Sequence, residues 1–297
     1  MNPYLSIIIG AVCISFAAIF VKWADVPPSV SGVYRGLYGT CSLLIIITIQ
    51  VAVKRFPKIE VLDYKKLVYF CFLPGSILAV DLFFWHKSIP LIGAGLATLV
   101  ANTQIFYAVL IGYFFFNERL TWHWKIILPI AFVGVALVGL KDFSAEIDAE
   151  SLIGVGLACL AGICYSIFLM RNKVLRTEFA NLPPILTWTG VSITTTLGLV
   201  LLSFLEEASL QIPIESHGIL FLLGFVCQAV GWIFISYAMG KIPLVHSSFI
   251  LLGQPALTTL WGFLFFNEML TFLQICGVAL VFTMIGLGQY LISKKTN

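Results

Sequence analysis

Two stretches of this sequence repeat one another and decide its fold. Residues 104–121 read QIFYAVLIGYFFFNERLT, and residues 254–271 read QPALTTLWGFLFFNEMLT. Nine of the 18 aligned positions are identical at a constant offset of 150 residues, which is about half of the 297-residue chain. Hydrophobicity alone does not explain why Gln, Gly, Asn, Glu and Thr match in register. The chain is therefore predicted to contain two copies of one structural unit.

The composition around these copies is that of a membrane protein. Hydrophobic residues make up 60% of the chain, charged residues only 10%, and the mean hydropathy is +1.02. A soluble domain is roughly half apolar and a quarter charged. A single globular core cannot hide such an excess, whereas a bilayer removes the need for polar cover. The net charge of +3 is small and scattered, and it does not indicate a nucleic-acid partner.

Ten apolar runs have the length of membrane-spanning helices, which need about 20 residues. They fall near residues 5–22, 30–53, 66–86, 92–116, 122–140, 152–171, 184–205, 218–239, 244–267 and 272–292. Each copy then holds five helices, and an odd number makes the second copy enter the membrane from the opposite side. The predicted fold is an all-α integral membrane protein of ten transmembrane helices, arranged as two inverted five-helix repeats over residues 1–145 and 146–297. Inverted repeats are typical of alternating-access transporters, whose substrate site lies near the midplane between the halves.

The basic residues of the loops predict the orientation. With a cytoplasmic N-terminus, 13 Lys and Arg residues fall in inside segments and three (Lys22, Lys87 and Lys141) in outside segments. The positive-inside rule therefore places both termini in the cytoplasm. The N-terminus lacks the basic region of a secretory signal, so the first apolar run is predicted to be a retained helix. The compact chain suits a multi-pass protein of the cell membrane, a bacterial inner membrane in particular.

Signatures of enzymes and of metal sites are missing from the sequence. It contains no H-E-x-x-H, no G-x-S-x-G and no phosphate-binding loop. The four histidines are dispersed, and the seven cysteines lie in apolar stretches without a C-x-x-C pair. We therefore expect no catalytic residue, no cofactor and no bound metal. The expected partners are a small-molecule substrate, the lipid bilayer and protons. The expected oligomeric state is a monomer or a homodimer.

Asp81 and Arg35 are the two charged residues within predicted spans that best suit a functional site. Each lies about five residues, or roughly 7–8 Å, below the outer end of its helix at about 1.5 Å per residue. Equal depth on neighbouring helices makes an ion pair feasible. The pair either fixes helix packing or recognises substrate charge, with Asp81 as the candidate for exchanging a proton for substrate.

Gln104 and Gln254 are the polar pair related by the repeat. Each primary amide carries donors and an acceptor that need partners in a dry helix bundle. They either join helices by hydrogen bonds or line the substrate site, and Asn102 extends the same polar patch. Pro255 follows Gln254 and removes a backbone donor, which suits a kink or a cavity wall.

Aromatic residues deep in the spans are further candidates for a cavity wall. Packing is the default role of each one, but a cluster of several would suit an aromatic or cationic substrate. The candidates are Tyr38, Trp85, Tyr107, Tyr165, Trp188, Trp232 and Tyr237. Of these, the predicted site residues are Tyr38, Trp85, Tyr165 and Trp232.

Glu118 and Glu268 follow the fourth and ninth predicted helices. An acid is unfavourable at a helix C-terminus. With Thr121 and Thr271 three residues later, we expect the two acids to cap the start of the fifth and tenth helices. A contact at a gate is the alternative.

The motif F-F-N-E-x-L-T at 115–121 and 265–271, together with Lys22 and Tyr34-Arg35, resembles the EamA family of the drug/metabolite transporter superfamily. The resemblance covers nearly the whole chain, and it implies ten helices and transport of amino acids, other metabolites or drugs, often by export. The family pattern usually has Gly before the motif glutamate, where this chain has Asn117 and Asn267.

These observations together predict a secondary-active transporter of small metabolites, an exporter of amino acids or related compounds. Drug efflux and metabolite uptake remain alternatives within transport. An intramembrane enzyme acting on lipid is an alternative from another class, although it would require several titratable residues at one depth. A channel or receptor is a third class, which the inverted repeat disfavours.

Overall fold

The computed structural model describes residues 1–57, 63–119, 121–139, 149–205, 209–267 and 269–296. Over these residues the secondary structure is helical, with no strand. The helices are α1 (Pro3–Ser15), α2 (Ala17–Ala24), α3 (Pro28–Ala52), α4 (Tyr64–Ala101), α5 (Gln104–Phe116), α6 (Trp122–Gly139), α7 (Ala149–Glu178), α8 (Pro184–Leu205), α9 (Ser216–Leu222), a π-helix (Leu223–Gly231), α10 (Trp232–Met239), α11 (Leu244–Leu251), α12 (Gly253–Phe266) and α13 (Phe272–Thr296).

Within the described residues, nine helical stretches are long and apolar enough to cross a membrane. They correspond to the first nine predicted spans. The described apolar part of α13 is Phe272–Gly288. The tenth helix is therefore formed, and its role as a span stays a prediction.

The predicted loop between the third and fourth spans is wrong. Helix α4 runs without a break from Tyr64 to Ala101, through residues 87–91 where we expected an irregular segment. Its 38 residues exceed the length of one crossing. One charged residue, Lys87, is too weak a signal to end a helix in an otherwise apolar run.

Helix interruptions occur instead at two positions that the repeat makes equivalent. The chain leaves helical geometry at Asn102–Thr103, before α5, and at Leu252, before α12. Both sites contain the same short backbone bond, from Asn102 N to Leu99 O and from Leu252 N to Phe249 O, at 3.1 Å each. These i→i−3 bonds tighten the chain locally into 3₁₀ geometry. The predicted fourth and ninth spans are thus discontinuous helices.

The two copies also end their motif helices in the same way. Asn117 has φ 52° and ψ 30°, and Asn267 has φ 52° and ψ 31°, both in the left-handed region. Each backbone N–H donates to a glycine carbonyl five residues earlier, that of Gly112 or Gly262. Glycine and asparagine are the residues that tolerate this conformation. The substitution of Asn for the usual Gly therefore leaves the helix end intact.

The chain forms two compact units, Met1–Phe83 with Ile167–Ile242 and Phe84–Ser166 with Pro243–Asn297. Each unit combines segments from both predicted halves, 1–145 and 146–297. The units of packing therefore differ from the units of sequence repetition.

The first unit is held together by close approaches of α1 and α3 to the π-helix. A Cβ added at Gly10 would lie 2.7 Å from the carbonyl oxygen of Gly231, and one at Gly39 would lie 2.5 Å from Cβ of Gln228. Helix α3 also packs along α8. Only glycine permits such distances between helix backbones, so these positions fix the packing.

The second unit is built around the pairing of α6 with α13 and of α5 with α11. A Cβ at Gly277 would lie 2.6 Å from the carbonyl oxygen of Gly134, which brings α6 and α13 into contact. Trp124 and Phe249 meet edge to face at 5.0 Å between ring centroids and fill the adjoining core.

Candidate functional site

A buried network of polar side chains links α3, α8 and the π-helix in the first unit. Arg35 donates from Nε to Oε1 of Gln228 at 3.2 Å, and Gln228 donates from Nε2 to Oγ of Ser192 at 3.4 Å. Ser192 in turn shares a hydrogen bond of 2.9 Å with Thr40, which contacts Thr196 at 3.2 Å. A continuous hydrogen-bonded path therefore leads from Arg35 into the helix interface.

Asp81 lies in the same unit, on α4, and is 7% exposed. Its carboxyl group interacts electrostatically with the guanidinium of Arg35. The two predicted charges therefore lie in the same unit, near enough to influence one another electrostatically. A charge in a membrane interior is stabilised by such a partner, and a substrate that carries a charge can compete for either member.

An aromatic cluster adjoins this network. Trp232, which is 3% exposed, stacks on Trp188 at 4.8 Å and 16°, and Phe168 contacts Trp232 edge to face at 5.1 Å. Trp188 donates its indole N–H to the backbone oxygen of Gln228 at 2.7 Å. The indole N–H of Trp232 is buried without a partner among the described residues. Two of the predicted aromatic candidates thus meet, and one keeps an unused donor.

Tyr38 belongs to a second aromatic group, between α3 and α9. Its hydroxyl lies 2.6 Å from Nδ1 of His217, and Tyr34 contacts the same imidazole edge to face at 5.7 Å. The hydroxyl of Tyr34 donates to the backbone oxygen of Leu210 at 2.9 Å. Tyr38 is therefore tied to α9, with Arg35 one turn away along α3.

The second unit holds the two glutamines related by the repeat. Gln104 begins α5 immediately after the first helix interruption and is 1% exposed. Neither Oε1 nor Nε2 of its amide has a hydrogen-bond partner among the described residues, and Nε2 of Gln254 is also buried and unpaired. A buried polar group left unpaired costs about 1–3 kcal/mol. Both amides therefore suit a ligand that supplies the missing hydrogen bonds.

The remaining predicted residues of the second unit differ in their surroundings. Asn102 is half-buried, and its Nδ2 donates to the backbone oxygen of Thr98 at 2.8 Å. This hydrogen bond joins the side chain to the last turn of α4, at the helix interruption. Trp85 packs against His86 at 5.1 Å on α4. Tyr165 is half-buried on α7, next to Ser166, whose hydroxyl donates to the backbone oxygen of Gln104 at 2.8 Å. Trp85 makes no described contact with the glutamines.

The nine predicted residues thus fall into two sets. The first unit contains Arg35, Tyr38, Asp81 and Trp232, and the second contains Trp85, Asn102, Gln104, Tyr165 and Gln254.

Glu118 caps a helix that we did not predict as its partner. Its Oε1 accepts from the backbone N–H of Leu244 at 2.8 Å, and its Oε2 accepts from that of Val245 at 3.2 Å. Glu118 therefore caps α11, 126 residues away. The dipole of α11 favours a negative charge at this end, and Pro243 before the helix supplies no cap of its own.

The start of α13 uses a different cap from the one that we predicted. Thr271 accepts at Oγ1 from the backbone N–H of Gln274 at 3.2 Å, and Gln274 accepts at Oε1 from that of Thr271 at 3.0 Å. This reciprocal pair is a capping box. Glu268, the other acid for which we predicted a capping role, lies outside the described residues.

Sequence reasoning missed Gln228, Ser192 and Thr40. Gln228 was detectable, because it is the one residue with an amide or charged side chain in the predicted span 218–239. Ser192 and Thr40 give no such signal, since hydroxyl residues are frequent in α8 and often bond to their own helix. The π-helix that carries Gln228 has no sequence signature that we recognised.

The described residues thus contain two short interruptions of apolar helices and two glutamines with buried unpaired atoms, in a chain whose apolar helices are long enough to cross a membrane. The chain belongs to the EamA-like transporter family, whose model matches residues 1–140 and again 152–287. This family is part of the drug/metabolite transporter superfamily. The protein is therefore a transporter rather than an enzyme.

Two further similarities agree with this assignment. An uncharacterized transporter of Archaeoglobus fulgidus is 24% identical over 207 residues, which cover 69% of each chain. A solved structure described only as the crystal structure of a protein superimposes with a TM-score of 0.81 at 17% identity, covering 99% of both chains. The second match shows the fold alone.

Proposed function

We propose that this protein is a secondary-active exporter of amino acids or related small polar metabolites that works by alternating access. In this proposal the protein consists of two inverted five-helix halves, 1–145 and 146–297, each containing one of the two regions that match the family. Both termini lie in the cytoplasm. The membrane is the cell membrane, a bacterial inner membrane in particular. The protein works as a monomer or a homodimer and needs no cofactor.

The observation that carries this proposal is the Gln104 amide. Both of its polar atoms are buried without a partner among the described residues, at a helix interruption within a transporter. Transporters bind their substrates at such interruptions, because freed backbone groups and side chains there replace the hydration of the solute. Gln254, at the equivalent interruption, keeps an unpaired donor. A solute with several hydrogen-bonding groups, such as an amino acid, supplies what both amides lack.

The charged pair supports coupling to protons. Asp81 is buried, and the charge of Arg35 acts on its carboxyl group. In an exchange of a proton for substrate, the charged Asp81 would bind a cationic group of the substrate, and protonation of Asp81 would release that group, so that proton and substrate move in opposite directions. Transport by this scheme depends on the pH difference across the membrane.

Counterflow in proteoliposomes tests the proposal. Purified protein is reconstituted with an unlabelled amino acid inside, and uptake of the same labelled amino acid is measured for a panel of twenty, with and without an imposed pH gradient. We expect counterflow for a subset, and we expect the Gln104→Leu variant to lose it. Gln211→Leu, on an exposed segment, is the matched control. Counterflow of drugs alone would replace export of amino acids by drug efflux, and a flat response to every solute would overturn the proposal.

A further inference from the structure

We infer that Gln228 is a positioning residue, which holds the guanidinium of Arg35 in the orientation that recognises a carboxylate of the substrate. This inference rests on the proposed function, since it names a group of the proposed substrate that the first unit recognises. Gln228 is absent from the residues that the sequence indicated.

Gln228 is hydrogen-bonded to neighbours on two helices. It is 1% exposed, its Oε1 accepts from Arg35 on α3, and its Nε2 donates to Ser192 on α8. Its backbone oxygen accepts from the indole N–H of Trp188, also on α8. One residue thus sets the position of the cationic group and of the aromatic stack beside it.

The surrounding backbone is built to bring Gln228 close to Arg35. A Cβ at Gly39, one turn from Arg35 on α3, would lie 2.5 Å from both Cβ and Cγ of Gln228. A Cβ at Gly224 would lie 2.6 Å from the backbone nitrogen of Gly39. The π-helix therefore rests directly on α3, and the amide of Gln228 reaches Arg35 without a rearrangement. π-Helical segments frequently occur at functional sites.

The chemistry of arginine indicates which substrate group is read. A guanidinium carries five N–H donors in a rigid plane, and fixing Nε–H fixes that plane. The terminal nitrogens then present the fork that matches a carboxylate with two parallel hydrogen bonds. The class of substrate group that fits is therefore an anion of carboxylate geometry.

A purely structural role for Gln228 makes a different prediction. Gln228 would then hold α3, α8 and the π-helix together, and its loss would weaken folding and transport of every substrate alike. A positioning role changes selectivity between substrates that have a carboxylate and substrates that lack one.

The test uses matched probes, each an amino acid that wild-type protein carries and the carboxamide of the same amino acid. Counterflow of both is measured for wild type, Gln228→Leu and Gln228→Glu, with Gln50→Leu on α3 as the control. For Gln228→Leu we expect the KM of the amino acid to rise roughly ten- to hundredfold, because a charged group loses one hydrogen bond. The KM of the carboxamide and both maximal rates should stay within about twofold.

Gln228→Glu keeps an acceptor for Arg35 and adds a competing carboxylate, so the amino acid should lose affinity while the carboxamide does not. If Gln228→Leu fails to fold, this second variant decides. An equal rise in KM for both probes, or no rise for either, would overturn the positioning role while leaving the transporter intact. Wild-type protein that carries no amino acid would overturn the proposed function and this inference with it.

Discussion

The cap that Glu118 places on α11 leads to a prediction about stability. Glu118→Ala leaves the first two N–H groups of α11 without a partner, at residues Leu244 and Val245. Loss of an N-cap costs about 0.5–2 kcal/mol, and hydrogen bonds to a charged group are at the upper end of the usual range. Because Glu118 is only half-buried and water can replace part of the interaction, we expect a loss of about 1–2 kcal/mol. Glu118→Gln keeps one acceptor and should lose about half as much.

The assay is thermal unfolding of the purified protein in detergent. A change of about 1 kcal/mol shifts the midpoint of a chain this large by roughly 2–4 °C, so Glu118→Ala should unfold about 2–8 °C earlier. Glu215→Ala is the matched control, since Glu215 precedes α9 but makes no side-chain cap bond and is exposed. Its midpoint should move by about 1 °C or less. Equal shifts for the two variants would refute the reasoning, because the cap would then contribute nothing beyond a general charge effect.

Three further predictions follow from single residues. Gln104→Leu should raise the free energy of unfolding by about 1–3 kcal/mol in the same thermal assay, because it removes two unpaired buried atoms. The same variant should abolish counterflow, and unchanged flux would exclude Gln104 from the site. Asn117→Ala should cost about 1–2 kcal/mol through left-handed strain, whereas Asn117→Gly should not, and equal midpoints for the two would contradict the backbone argument. Asp81→Asn should leave insertion intact, as judged by size-exclusion chromatography, but remove the response of flux to a pH gradient. A preserved response would exclude Asp81 from coupling.

The helical class of this fold could be predicted from hydropathy, because a span needs little more than an apolar run of sufficient length. The boundary between the third and fourth spans could not be predicted from hydropathy. Helix α4 continues through residues 87–91, and this continuation depends on packing rather than on a stop signal. The π-helix could not be predicted either, because its geometry also depends on packing. Its wider turn is stabilised by contacts with Gly10 and Gly39, which lie far away in sequence.

Within the candidate site, charge was the most informative signal. Asp81 and Arg35 are rare enough in spans that equal depth suggested an ion pair. In the structure they lie in the same unit, near enough for an electrostatic influence, and the ion pair itself stays a prediction. Glu118 shows the limit of local reasoning. Its neighbours in sequence suggested a cap for the next helix, but the donors that it serves belong to α11. A partner 126 residues away cannot be found from spacing alone.

The two helix interruptions follow the repeat rather than any one residue. Asn102 and Leu252 share no chemistry, and the proline that follows the second interruption has no counterpart after the first. Both nevertheless donate an i→i−3 backbone bond of the same length, two residues before a glutamine with unpaired buried atoms. A local sequence cause would have produced one interruption and not the other. Around the two interruptions the copies share the glutamine, which is one of the nine identities of the repeat. Moving the glutamine two positions along α12, by Gln254→Ala with Ala256→Gln, should therefore abolish counterflow even though composition and helix length are unchanged.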